Sequence, residues 1–175
     1  SIAEKISASL HNTGTANGAD SVSLKELAAK PWKNGTLTKE NRASIAFELS
    51  TKEGEKVLLL GDAHIKDILN GLDCFYPNQE HPIKYKIIKL SHHGSKNNFC
   101  PAFIQKVHAD IFLVSTNGDF FGHPDKEVIA QIICNTDSII GFNYGERKDS
   151  LFTKQDFMDF PNLKERVFTT ISCLE

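Results

Sequence analysis

The chain has 175 residues, 40% of them hydrophobic and 24% charged, with a formal net charge of -2. That length fits one sizeable core rather than two, and the near-neutral balance gives no basic footprint of the kind that tracks phosphates. No apolar run approaches the roughly 18 residues that span a bilayer, and the opening SIAEKISASL lacks the apolar core of a signal peptide, so the sequence predicts a cytoplasmic protein without membrane contact.

In chain order, Ile2, Ile6 and Leu10 fall on one stripe of a short amphipathic helix, followed by the polar loop HNTGTANGAD. A capping box at Ser23 and Glu26 opens a second short helix that Pro31 stops. Residues 1–40 therefore read as a helical connection and residues 41–175 as the body of the fold. Ile45, Phe47 and Leu49 alternate with Ala46 and Glu48 as a half-buried strand does, and after the turn TKEGEK the run Val57 to Leu60 suits a strand covered on both faces. The two read as a hairpin. Ile65, Ile68, Leu69 and Leu72 then share one helical face within residues 63–72.

A strand at 84–90, a helix at 101–108, a strand at 111–115, a helix at 125–134 and a strand at 138–142 continue an α/β alternation. A helix near 153–159 and a strand at 167–171 close it. The four cysteines, Cys74, Cys100, Cys134 and Cys173, stand far apart with no Cys-x-x-Cys pair, which reads as reduced thiols.

Three strand ends carry the chemistry: Gly61-Asp62 after VLLL, Ser91-His92-His93-Gly94-Ser95 after KIIKL, and Gly122-His123-Pro124 beyond IFLVST. Ligands gather outside the carboxyl ends of strands in layered α/β folds, so three such ends point to one shared site. A carboxylate beside a buried strand needs a cation, a partner or hydrogen bonds; Asp62 fits a metal ligand, and equally the N-cap of the helix after it. The adjacent His92 and His93 suit zinc ligation or proton transfer, and equally a solvated loop. Pro124 suits the first turn of the following helix and biases His123 toward an extended conformation. His11, His64, His81 and His108 read as surface residues.

Asn41-x-x-Ser44, LLLGDA at 58–63, KLSHHGS at 89–95 and STNGDFFGHP at 115–124, in that order, resemble the metallo-β-lactamase superfamily, nearest to the branch of ComEC-like competence proteins. The resemblance covers about residues 41–135. It implies a four-layer αβ/βα sandwich with one or two zinc ions at the shared edge of two sheets. By the same resemblance, Asp62 and His92 are metal ligands, His123 and His93 act at the reacting centre, and Ser95 or Lys96 helps hold an anionic substrate. The implied activity is hydrolysis by metal-activated water, with a nucleic acid or another phosphodiester as substrate.

The family's upstream His-x-His-x-Asp-His motif is absent, and His11 is the only histidine before Asp62. The resemblance then implies the C-terminal half of the sandwich, with the remaining ligands on a missing N-terminal half or a second chain. The alternative is a catalytically inactive scaffold or interaction module.

Overall fold

The computed structural model describes residues 21–33, 35, 43–78 and 82–169. The helix expected over Ile2, Ile6 and Leu10, together with His11, Asn41, His81 and Cys173, lies outside them.

The elements are α1 (Leu24–Ala29), β1 (Phe47–Ser50), β2 (Lys56–Leu59), α2 (Ile65–Phe75), β3 (Ile83–Lys89), α3 (Pro101–Lys106), β4 (Val107–Val114), α4 (Lys126–Asn135), β5 (Ile139–Phe142), α5 (Gly145–Leu151), α6 (Lys154–Asp159), α7 (Leu163–Arg166) and β6 (Val167–Thr169). The strands form one six-stranded mixed sheet in sequence order. β1 pairs antiparallel with β2 as the hairpin requires, and every later pairing is parallel. Parallel strands need crossovers, and the helices between them supply these. No helix among the described residues is long and apolar enough to cross a membrane.

The pairing register sorts the sheet into two unlike faces. The row Leu58, Ile88, Phe112, Ile140, Val167 runs across five strands, and each member is at most 7% exposed. This face meets α1, α2 and α4 through Leu24, Leu27, Ile65, Ile68, Leu72, Val128, Ile129 and Ile132, all buried in one core. The neighbouring row Leu49, Val57, Ile87, Ile111, Ile139 is also wholly apolar, yet Leu49 is 53% and Ile139 37% exposed. Val57, Ile87 and Ile111 are only half-buried. Among the described residues this second face has no helical layer over it.

Helix α1 forms as its capping box dictates, with both the Ser23 side-chain and the Glu26 side-chain bonds present. It is more than a surface connection, because Leu24 and Leu27 enter the core. A buried ionic hub fixes it there. Asp156 accepts from the Leu24 backbone N–H at 2.6 Å and from Lys126 Nζ at 2.8 Å, and both charged side chains are fully buried. Burial alone would raise the Asp156 pKa, but the Lys126 ammonium and the Thr153 and Leu24 amides outweigh it and hold the carboxyl below its usual range.

Several expectations are corrected. Ile45, Phe47 and Leu49 face outward, 77%, 49% and 53% exposed. It is Glu48 that turns to the helical side, accepting hydrogen bonds from the Tyr76 and Tyr85 hydroxyls. The helix at 101 stops at Lys106, and β4 starts at Val107 rather than 111. Helices α5 and α7 were not anticipated.

Candidate functional site

The site is assembled by the loops that leave β2, β3 and β4. The Asp62 backbone N–H donates to Ser44 Oγ at 2.9 Å, tying the segment before β1 to the end of β2. Gly61 holds φ +53, and a Cβ there would sit 2.7 Å from Ser44 Oγ and 2.8 Å from the Ile45 carbonyl oxygen, so this approach needs glycine. The His92 N–H donates to the Gly61 carbonyl at 2.9 Å, Ser91 Oγ to the Ala63 carbonyl at 2.6 Å, and Asn98 Nδ2 to the Asp62 carbonyl at 2.9 Å. These bonds lock the ends of β2 and β3 together.

Asp62 is not the cap of the helix after it. Helix α2 begins at Ile65, and His64 is the N-cap residue, its Nδ1 accepting from the Lys66 N–H. His64 is accordingly buried, 8% exposed, a correction to its reading as a surface residue. The Asp62 carboxylate is left to act on the site: it favours the charged forms of both His92 and Lys89. Burial dominates at His92 and, with the neighbouring His123 and His93, holds its pKa below the ordinary imidazole value. A neutral imidazole is the form that ligates metal.

The backbone at the histidine pair is strained. His92 has φ 44 and His93 φ 57, both left-handed, a conformation that costs about 1–3 kcal/mol per non-glycine residue and concentrates at functional sites. Gly94 continues the turn at φ +88, where a Cβ would lie 2.7 Å from Pro124 Cβ. The turn sends the two rings different ways. The His92 ring meets that of His123, centroids 5.4 Å apart, and lies 6.1 Å from that of His93. His93 Nδ1 lies 2.6 Å from the Ser115 carbonyl oxygen; a carbonyl only accepts, so Nδ1 carries a proton there.

His123 is reached by a cis peptide to Pro124. Helix α4 starts at Lys126 with Asp125 at its N-cap, so Pro124 precedes the helix instead of sitting in its first turn. His123 Nδ1 is buried and makes no hydrogen bond, although Asp125 Oδ2 is 3.4 Å away. At Asp125, burial opposes ionisation; the His123 ring and the Lys96 N–H outweigh it and lower its pKa.

Arg147, on α5, fastens the same loop: Nε donates to the His123 carbonyl at 3.0 Å, and Nη2 to those of Gly122 at 2.6 Å and Pro124 at 3.1 Å. Sequence reasoning missed Arg147, Asn98 and Asp125: Arg147 and Asn98 act on loops far away in the chain, and Asp125, the N-cap of α4, faces both the nearby His123 and the distant Lys96 N–H. Ser95 is 2% exposed, and Lys96 Nζ pairs with Glu127 at 2.8 Å.

Asp62, His92 and His123 are thus drawn to neighbouring strand ends, with His93 beside them and oriented through Ser115. No family model, curated protein or solved structure matches the chain. Among the described residues no three His, Cys, Asp or Glu side chains form a group that could hold a metal ion. A zinc shell takes at least three protein ligands, so Asp62 and His92 alone would not close one.

Two open concavities lie away from these strand ends. One of about 470 Å³ is lined by Pro82, Ile104, Val107, His108, Cys134 and Asp137, among others, at the amino ends of β3 and β4. His108 is on β4, between Asp110 and Asp137 at 3.7 and 3.8 Å. Ligands of parallel sheets collect at the opposite, carboxyl ends, where the strained histidine turn is found.

Proposed function

We propose that the chain provides one half of a metal-dependent hydrolase site of the metallo-β-lactamase type, acting on phosphodiesters with water as the nucleophile. The observation that carries this reading is the convergence of Asp62 and His92 at adjacent strand ends with His123 against the His92 ring. The left-handed turn that presents the two histidines supports it, because such strain persists where it serves a site.

In this reading Asp62 and His92 contribute two donors to a zinc ion, and His123 stands by the reacting phosphoryl group. His93, held through Nδ1, offers Nε2 as a proton acceptor. When bound, the cation supplies Lewis acidity. The remaining donors come from protein outside the described residues, either a further N-terminal half or a second chain, and the open apolar sheet face is the surface that such a half would cover.

The absence of a third donor among the described residues favours a second reading, an inactive scaffold that keeps the layered fold for interaction. Turnover of bis(p-nitrophenyl) phosphate discriminates the two. The hydrolase reading expects zinc-dependent turnover in the longest form of the protein, abolished by chelator and by Asp62→Ala. A metal-free long form without turnover would establish the scaffold.

A further inference from the structure

Phe120 and Phe121 precede the Gly122-His123-Pro124 segment and are among the most exposed aromatic side chains described, 92% and 79% exposed. Leaving two benzyl groups in water forgoes the gain of burying them, and neither contributes to the core. They are nevertheless held in place. The Gly122 N–H closes a turn onto the Gly118 carbonyl at 2.9 Å, the Gly118 N–H donates to Thr116 Oγ1 at 3.0 Å, and Arg147 grips the carbonyls just beyond.

The Phe121 ring lies over the His123 imidazole, centroids 6.0 Å apart and planes inclined by 30°. One face of Phe121 is therefore turned toward the reacting centre, and the exposure of the ring leaves its other face to solvent. Two exposed benzyl rings on a braced loop, one of them stacked on His123 and both next to groups read as acting on a phosphodiester, are the parts of which a stacking platform is made. Such platforms accept any base, because every base has a π-face. The exposed residues of the open sheet face are chiefly aliphatic, and the aromatic pair sits instead on the strand-end loop beside the histidines.

We propose that Phe120 and Phe121 form a stacking subsite that holds one nucleobase next to the scissile phosphodiester. This deepens the hydrolase reading and rests on it, naming the substrate as an unpaired nucleic-acid strand.

The test is equilibrium binding of the full chain to a fluorescently labelled short oligothymidylate and to an abasic backbone of equal length, both in chelator so that nothing is cleaved. The expected result is about tenfold or more preference for the thymidylate, lost in Phe120→Ala/Phe121→Ala. Phe121→Trp should keep the preference, with indole emission quenched on binding. Equal affinity for the two oligomers, no binding of either, or a double variant that retains the preference would overturn the subsite. Base-selective binding in a long form that never hydrolyses a diester would instead count against the hydrolase alone, and hydrolysis without base preference against the subsite alone.

Discussion

The two faces of the sheet are built from the same strands and in nearly the same residue types, yet among the described residues one is sealed and the other open. Across the helical face Leu58, Ile88, Phe112 and Ile140 are each at most 5% exposed, whereas across the other Leu49 and Ile139 are 53% and 37% exposed. Hydrophobic composition alone does not decide burial; a strand residue is buried only where a second layer is supplied. The open face is a row of apolar residues, Leu49, Val57, Ile87, Ile111 and Ile139, and not an isolated surface leucine.

The largest expected effects lie on the sealed side. Phe112→Ala should lower unfolding stability by about 3–5 kcal/mol through the lost burial and the cavity left behind, while Leu49→Thr on the open face should stay within about 0.5 kcal/mol. Urea unfolding monitored by circular dichroism measures both. A Leu49→Thr cost approaching that of Phe112→Ala would mean that the open face is covered.

Asp156→Ala should cost a similar 3–5 kcal/mol, because it strands the buried Lys126 ammonium. The native Asp156 carboxyl titrates below its unfolded value near 3.9. Its contribution is therefore complete above that pH and is lost as pH falls through the lower native value. Asp156→Asn should flatten this acid limb of the stability profile, and an unchanged limb would assign the acid sensitivity to other groups.

A smaller and more local effect is expected at the strand ends. Arg147→Ala removes the donors to the Gly122, His123 and Pro124 carbonyls and should raise amide hydrogen exchange across residues 118–125 by about tenfold, with global stability reduced by about 1–2 kcal/mol. Exchange confined to wild-type rates would show that the loop is held by other contacts.

The layered architecture was legible because its signals are local. The apolar run at 57–60, the capping box at Ser23, and the 3.6-residue spacing of Ile65, Ile68 and Leu72 each report their own segment. So were the strand ends bearing Asp62, His92 and His123. The orientation of β1 was not legible, because alternation fixes two faces without saying which is covered; the polar Glu48 turned to the helical side to meet the Tyr76 and Tyr85 hydroxyls. Nor was the short α5, whose GERKDSL has little apolar period. The positioning roles of Arg147 and Asn98 depend on tertiary approach, which no sequence window contains.

The proposal that Asp62 and His92 act together on a metal is tested most directly by cobalt(II) titration of the longest form of the protein, read by its visible absorption. The account predicts binding that weakens at least about tenfold in Asp62→Ala and in His92→Ala and is unchanged in His108→Ala, at the other end of β4. Binding that survives Asp62→Ala, or that disappears with His108→Ala, would contradict it.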